Sequence, residues 1–333
     1  MAVAEGGQDL LRILVLSLEP NRNEQQVTGA EGRREGEKGG GVATKRGAAA
    51  KPERKTAILG RHVSLQECPF EHAFNLKICS FNVRSFGKAK RTRPEILDTV
   101  VEIMSRCAIV LLMEIKDNSN RMCPFLLEKL NGHSREEYNY VVSKRLGRNS
   151  YKEQYAFFYK PKLVSVKDTY QYPDLQPGDE DALSREPFVE FVIIPLHATP
   201  EMAVREIDEL YDVHLHIRQH WISKNFIFMG DFNAGCGYVA RKHWKNIRLR
   251  NQTEFVWLVD DKTDTTVKGS THCPYDRIVL HGDKLIKSIV PNSAGIFDFQ
   301  RAFSMTEVQA LAVSDHFPIE FQLRRLSRTR ARN

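Results

Sequence analysis

The pattern of hydrophobic and polar positions changes along the chain, and residues 77–323 alternate between apolar runs and amphipathic segments. The run AIVLLM at residues 108–113 is apolar at every position, as a strand buried on both faces requires. Residues 94–105 place their apolar side chains at helical spacing instead. Further strands are predicted at residues 77–83, 138–143, 154–159, 188–196, 226–229, 275–280 and 317–323, and further helices at residues 124–130 and from Thr199 onward. The alternation predicts a layered α/β domain.

Residues 1–76 lack this pattern and hold 10 of the 20 glycines, so we expect a disordered leader. Within it, the run LLRILVLSL at residues 10–18 is too short for a membrane span. A signal peptide is not favoured there either, because Arg12 interrupts the run and Glu5 and Asp9 precede it. A short amphipathic helix is the alternative. We therefore predict a leader at 1–76, a folded domain at 77–323 and a basic tail at 324–333.

The net charge of +7 is concentrated at one end of the chain. Five arginines and no acidic residue lie in the last ten positions, whereas residues 1–76 carry 11 Lys and Arg against 10 Asp and Glu. The central block is thus nearly neutral, and the tail can add only salt-sensitive, sequence-independent affinity for a polyanion. With 41% hydrophobic and 27% charged residues, the composition excludes a wholly disordered chain, a collagen and a small disulfide-dense scaffold.

Polar side chains stand where several predicted strands end. A single aspartate after a strand is most often a turn or a helix cap, but a group of oxygen donors and imidazoles is harder to explain in that way. Hard oxygen ligands suit Mg²⁺, Ca²⁺ or Mn²⁺, and two histidines with carboxylate partners suit general acid–base catalysis. Together they indicate phosphoester hydrolysis. The side chains are Asn82, Glu114, His197, Asp231, Asn233, Asp315 and His316, with Asp276 at the start of another strand.

Several motifs in this block resemble those of the deoxyribonuclease I family. The sequences GDFN at residues 230–233 and SDHFP at 314–318 are shared by the wider endonuclease/exonuclease/phosphatase superfamily. The narrower resemblance rests on LGRNSYKEQY, SREP, NIRLR and CPYDRIV at residues 146–155, 184–187, 246–250 and 273–279. The sequences VRSFG and MEIKD at 83–87 and 113–117 are similar to the gamma branch of that family. The resemblance implies a four-layer α/β sandwich and a divalent-cation-dependent endodeoxyribonuclease that leaves 5′-phosphate ends with little sequence specificity.

The resemblance also implies a role for each motif residue. Glu153 with His197, and Asp276 with His316, would form two acid–base pairs around the scissile phosphate. Glu114 would bind the catalytic cation, Mg²⁺ with Ca²⁺, which Mn²⁺ can replace. The metal and phosphate shell would be completed by Asn82, Asp231, Asn233 and Asp315. On the following helix, His214, His216 and His220 are expected at the surface.

Contacts with double-stranded DNA and chromatin are implied for Tyr151, Arg185, Asn149 and Lys116. Lys116 departs from the arginine of deoxyribonuclease I and cannot reproduce its bidentate fork. Lys144 and Arg145 replace an acidic residue and a proline beside the segment that deoxyribonuclease I uses to bind actin, so tight actin binding is not expected. We expect a monomer without a membrane span.

Disulfides are implied for Cys236 with Cys273 and for Cys79 with Cys107, and four buried thiols are the alternative. Asp264, Thr265 and Thr266 resemble a structural calcium loop. The family is secreted or found in the endoplasmic reticulum and the nucleus. Without a recognisable signal peptide, nucleus or cytoplasm is expected for this chain.

The segment that leads to His197 departs from the family pattern. The resemblance implies a strand, a turn and a second strand between SREP and His197, whereas residues 188–192 here pass directly through, about a dozen residues short. Loss of a hairpin after Val189 exposes strand edges. The leading hypothesis is an endodeoxyribonuclease of DNA catabolism and apoptotic DNA fragmentation. The alternatives are a catalytically impaired DNA-binding variant or another superfamily phosphoesterase acting on abasic sites or lipid phosphates.

Overall fold

The computed structural model describes residues 12–17, 75–147, 152–171, 190–221 and 223–324. Within them, twelve strands form two six-stranded sheets. The strands are β1 (Arg12–Ser17), β2 (Leu76–Gly87), β3 (Ile109–Lys116), β4 (Asn139–Val142), β5 (Gln154–Tyr159), β6 (Ser165–Gln171), β7 (Glu190–His197), β8 (Phe226–Asp231), β9 (Phe255–Trp257), β10 (Asp276–His281), β11 (Gly295–Ile296) and β12 (Ile319–Leu323). The order is β6-β1-β7-β8-β10-β9 in sheet A and β11-β12-β2-β3-β5-β4 in sheet B.

Helices cover the outer faces of the two sheets. They are α1 (Lys88–Arg91), α2 (Pro94–Ser105), α3 (Met122–His133), α4 (Ala203–His220), α5 (Arg248–Asn251), α6 (Asp283–Lys287), α7 (Phe299–Ala302) and α8 (Glu307–Val313). Short 3₁₀ turns lie at Pro200–Met202 and Arg241–Asn246. None of the described helices combines the length and the apolar character that crossing a membrane requires.

The apolar run in β3 shows how the layers are held together. Ile109 and Leu111 belong to the core between the sheets, which also contains Phe191 and Ile278 of sheet A. Val110, on the opposite face, packs into a second core with the buried residues of α2, α3 and α8. Each face of the strand therefore buries apolar side chains. This arrangement confirms the predicted four-layer α/β sandwich.

The leader departs from its prediction at one place. Arg12–Ser17 form β1, which lies between β6 and β7 and pairs antiparallel with both. The expected disorder, and the alternative of an amphipathic helix, are therefore wrong for these six residues. The physical reason is that the backbone of an apolar segment satisfies the hydrogen-bonding groups of two neighbouring strands. The remaining leader residues up to 74, and the tail from 325, lie outside the described residues.

The two predicted disulfides are present in the structure. Cys79 of β2 is bonded to Cys107, which precedes β3, and Cys236 is bonded to Cys273. The second bond joins the segment after β8 to the segment before β10. Cys123 is a buried free thiol, and Cys68 lies outside the described residues.

The expected surface position of His214 is wrong. Its side chain is only 1% exposed, because it shares the buried face of α4 with Leu210 and Ile217. Its ring packs edge-on against Phe226, and neither ring nitrogen has a hydrogen-bond partner. Burial, with smaller contributions from nearby cations, lowers the pKa of His214 to about 3. Of the other two histidines, His216 is half-buried, and the side chain of His220 lies outside the description.

We expect His214→Phe to make the protein more resistant to acid. His214 is protonated near pH 6.5 in the unfolded chain but only near pH 3 in the folded protein. The free energy of unfolding therefore falls as pH decreases from 6.5 to 3. At pH 5 this loss of stability is about 2 kcal/mol. Phenylalanine does not titrate and should recover this amount in urea denaturation at pH 5, relative to pH 7.5. Identical pH dependence of the variant and wild type would contradict the assignment.

Candidate active site

The pairing of three strands brings their polar ends together at one edge of sheet A. Strands β7 and β8 run parallel and end at this edge, where His197 lies opposite Asp231. Strand β10 runs antiparallel to β8 and begins there, with Asp276 opposite Asp231. Side chains from three separate parts of the sequence are therefore neighbours across the sheet. The edge was predicted as a ligand site because polar residues followed the apolar runs.

His197 forms the first of two imidazole–carboxylate pairs. Its Nδ1 lies 2.6 Å from Oε1 of Glu153. Glu153 is held at the base of its loop by reciprocal backbone hydrogen bonds with Leu146. The backbone N–H of His197 donates to the hydroxyl of Tyr155 over 2.9 Å. The ring is thus oriented with Nε2 directed toward Asp231, 3.6 Å from its Oδ2.

His316 forms the second pair in the same way. Its Nδ1 lies 2.7 Å from Oδ2 of Asp276, and its Nε2 lies 3.5 Å from Oδ2 of Asp231. Asp276 is fully buried, and its backbone N–H donates to Oγ1 of Thr265. The N–H of His316 donates to the hydroxyl of Ser314. One oxygen of Asp231 therefore lies within 3.6 Å of an Nε2 atom from each pair.

The carboxylates around the two imidazoles raise their pKa values. Burial alone would lower the pKa of His197, but Glu153, Asp231 and Glu114 outweigh it and raise the value to about 9. The pKa of His316 is raised to about 10, because Asp276 and Asp231 outweigh burial in the same way. These carboxylates therefore favour the protonated form of both rings.

Glu114 and Asn82 extend the site from sheet A to sheet B. The Nδ2 of Asn82 donates to Oε1 of Glu114 over 3.2 Å and to Oδ2 of Asp231 over 3.1 Å. Glu114 also accepts the backbone N–H of Ser85, and its Oε2 lies 3.4 Å from Nζ of Lys116. Although burial would raise the pKa of Glu114, nearby His197 and the Ser85 N–H lower it. The carboxylate is therefore ionised at neutral pH.

The backbone is unusual at two of these positions. Glu114 has φ +57° and Asn233 has φ +48°, the left-handed region that glycine normally occupies. At Glu114 the pairing of β3 with β5 shifts register between Leu112 and Ile115. Such strained conformations persist when the surrounding structure holds them.

Two further residues predicted for the metal and phosphate shell lie at the margin of this group. The amide of Asn233 donates to the carbonyl of Ala198 and its N–H donates to Oδ1 of Asp231, so it supports the loop after β8. Asp315 is 41% exposed, and its Oδ2 lies 3.5 Å from Nε of Arg84. Among the described residues, ligand atoms close enough to share one ion are found in Asp231, Asp276 and His316. Of these three, only Asp231 was predicted as a metal ligand.

The predicted DNA-contacting residues fall into two groups. Asn149, Tyr151 and Arg185 lie outside the described residues. Lys116 is at the site, where its Nζ also donates to Oγ of Ser85.

The carboxylate of Asp264 accepts hydrogen bonds from Thr266 and faces the ring of His272. This loop also carries Thr265, so the predicted calcium loop supports Asp276.

Sequence reasoning missed several residues that hold the site together through hydrogen bonds and were assigned no role from the motifs. Lys90 donates to the carbonyls of Val83 and Val313, and the hydroxyl of Ser314 donates to the carbonyl of Asn82. These bonds join the end of β2 to the loop that carries His316. Tyr155 could have been found, because it stands two residues after Glu153 in the motif. No sequence signal pointed to Lys90.

The chain matches the endonuclease/exonuclease/phosphatase family over residues 79–316. It is 59% identical to deoxyribonuclease gamma of Rattus norvegicus over 264 residues, which cover 75% of this chain and 85% of the relative. Identity to the Homo sapiens deoxyribonuclease gamma is 58%, covering 75% of the chain and 87% of that protein. Identity to deoxyribonuclease-1 of Sus scrofa is 46%, covering 76% of the chain and 93% of that protein. The protein therefore belongs to the deoxyribonuclease I family, and its identity to these two deoxyribonuclease gamma proteins exceeds its identity to the Sus scrofa deoxyribonuclease-1.

Proposed function

We propose that the protein is a divalent-cation-dependent endonuclease that hydrolyses the phosphodiester bonds of double-stranded DNA to 5′-phosphate ends. The observation that carries the proposal is the convergence of two imidazole–carboxylate pairs on Asp231. A phosphodiester at this point can receive a proton on one side while water is deprotonated on the other. His197 and His316 fill these two roles, and Glu153 and Asp276 fix their tautomers.

The residues at the site fit a hard divalent cation. Glu114 and Asp231 offer carboxylate oxygens that Asn82 already holds near each other. The buried Oδ1 of Asp276 and Oε2 of Glu153 have no hydrogen-bond partner, so the site contains more acceptors than protein donors. Mg²⁺ and Ca²⁺ prefer such oxygens, and Mn²⁺ can replace them. Glu114 would bind the cation, and Asn82, Asp231, Asn233 and Asp315 would complete the metal and phosphate shell. When bound, the cation neutralises phosphate charge.

A cation at Glu114 and Asp231 also acts on the two histidines through charge. Both carboxylates raise the pKa of His197, and Asp231 raises that of His316. Neutralising them lowers both pKa values toward the range in which a general base works. Glu153 and Asp276 keep their direct hydrogen bonds to the rings.

DNA binding is proposed for Lys116, Asn149, Tyr151 and Arg185. Backbone and minor-groove contacts carry little sequence information, so cleavage is nearly independent of sequence. Lys116 lies beside Glu114 and places a positive charge at the edge of the site. Chromatin is proposed as a substrate from the family resemblance, and the basic tail would add salt-sensitive affinity that does not depend on sequence.

The supporting properties are proposed from the same features. The two disulfides suit an oxidising compartment, and the nucleus or cytoplasm is the alternative. A structural calcium ion at Asp264, Thr265 and Thr266, a monomeric state and no tight binding of actin complete the proposal. A role in DNA catabolism and apoptotic DNA fragmentation is proposed from the resemblance to the deoxyribonuclease I family.

Plasmid nicking with and without cations tests the proposal. Supercoiled DNA should be nicked with Mg²⁺ and Ca²⁺ together, and a chelator should abolish the reaction. Abasic DNA and phosphoinositides serve as competing substrates for the alternative phosphoesterase. Faster cleavage of abasic DNA than of intact DNA, release of phosphate from phosphoinositides at a higher rate than nicking, or nicking that a chelator leaves unchanged would overturn the proposal. Binding of DNA without nicking would establish the catalytically impaired variant instead.

A further inference from the structure

Strand β1 is the link between β6 and the remainder of sheet A. In the described part of the chain, the order β6-β1-β7 leaves β6 with β1 as its neighbour in the sheet. Residues 12–17 pair with residues 165–171 on one side, and residues 14–17 pair with residues 190–193 on the other. A slot one strand wide therefore separates β6 from β7, and residues 12–17 of the leader fill it.

The geometry of the slot selects its occupant. Because β1 is antiparallel to both neighbours, β6 and β7 run parallel to each other and present facing rows of N–H and C=O groups. Empty, the slot would leave two unpaired strand edges inside one sheet, next to buried β7 residues such as Phe191 and Ile193. An extended apolar segment of about six residues satisfies both edges. The segment RILVLS meets this requirement.

The slot coincides with the departure of this chain from its family. The segment after Val189 is about a dozen residues short, which the resemblance implies should remove one hairpin and parts of two strands. Strand β7 nevertheless runs from Glu190 to His197 with a neighbour on each side, β1 and β8. The leader occupies an inner position of the sheet beside the shortened segment.

We infer that the gap between β6 and β7 is a strand-binding site, and that residues 12–17 of the same chain are its occupant. The leader acts as an intramolecular donor strand that replaces pairing lost with the hairpin. Since His197 lies at the end of β7, occupancy of the slot also holds this histidine in place. This second consequence rests on the proposed function, whereas strand binding itself does not.

Val15→Pro in the full chain is the direct test, because Val15 pairs with both Asp168 and Val192. Proline removes a backbone donor from an inner strand, which strands of this kind do not tolerate. Amide hydrogen exchange in β6 and in residues 190–193 should become about tenfold to a hundredfold faster. The matched control is Val15→Ile, which keeps the N–H and the β-branched side chain and should exchange as wild type does. A leader without a structural role would accept proline, so equal exchange in the two variants would overturn the inference.

A synthetic peptide of residues 10–19 distinguishes an empty slot from general unfolding. Added to the Val15→Pro protein at up to about 1 mM, an effective concentration of the order that tethering provides, it should slow the exchange of β6 and β7 again. The same peptide with proline at position 15 should not. Failure of the first peptide, or equal rescue by both, would contradict a strand-binding site. A wild-type dimer that the Val15→Pro variant dissociates would place the strand in a neighbouring copy and overturn the intramolecular assignment.

Plasmid nicking by the same variants separates this inference from the proposed function. Val15→Ile should nick at the wild-type rate, and Val15→Pro should nick more slowly until the peptide is added. If wild type does not nick DNA at all, the proposed function fails while hydrogen exchange still decides the strand assignment. If exchange changes as expected but nicking does not, the slot is a binding site without control over His197.

Discussion

Replacing His197 with alanine should lower the rate of plasmid nicking by about 10²–10⁴-fold, the usual contribution of a positioned acid or base. The imidazole is the part of the first pair whose Nε2 points toward Asp231, and alanine leaves no group there to transfer a proton. His316→Ala should have an effect of the same size. Initial nicking rates with Mg²⁺ and Ca²⁺ measure both.

Two further variants help to interpret this experiment, a control histidine and the carboxylate partner of His197. His133→Ala removes an exposed histidine at the end of α3 that pairs with Glu102, so nicking should stay at the wild-type rate. Glu153→Gln keeps the shape of the partner but removes its charge. The pKa of His197, raised to about 9 in the wild type, should then fall toward its ordinary value. If His197→Ala nicks DNA as fast as His133→Ala, the catalytic assignment is wrong.

Gly230→Ala is expected to be the most damaging small substitution in the sheet. Gly230 has φ +145°, and a Cβ atom there would lie 2.0 Å from the carbonyl oxygen of Leu196. Backbone cannot move away as a flexible side chain can, so β7 and β8 must separate immediately before His197 and Asp231. A loss of about 3–5 kcal/mol in the free energy of unfolding follows from strain of this kind. Nicking should fall even where the variant remains folded.

The matched control is Gly237→Ala, a nearby loop position where an added Cβ would meet nothing within 4 Å. Urea denaturation midpoints and nicking rates of the two variants should differ clearly. Equal midpoints would show that β7 and β8 are not packed as closely at Gly230 as the structure has them.

The sequence could predict the layers because apolar periodicity reports burial. The run in β3 is apolar on both faces and is covered on both faces. The sequence could not predict which strand lies beside β7, because a six-residue apolar run can pair with any open strand edge. His214 was misjudged for a related reason. A polar residue in an amphipathic helix is expected outside, but here its phase on α4 places it with Leu210 and Ile217.

The candidate site was foreseeable as a set of residues but not as a geometry. Strand-end carboxylates and histidines, together with the family motifs, indicated Glu153, His197, Asp276 and His316. The spacing of these residues in the sequence says nothing about Asp231 lying between two Nε2 atoms. That arrangement requires the register of β7, β8 and β10, and register depends on contacts across the sheet.

The left-handed backbone at Glu114 and Asn233 has a consequence for redesign of this protein. Glycine would adopt either conformation without strain and relieve about 1 kcal/mol or more at Glu114. A procedure that optimises thermostability alone would therefore favour glycine at a position whose carboxylate accepts a hydrogen bond from Asn82. The resulting protein would be harder to melt and would lack the carboxylate that we propose as a cation ligand. Resistance to heat and catalytic competence make opposite demands on this single residue.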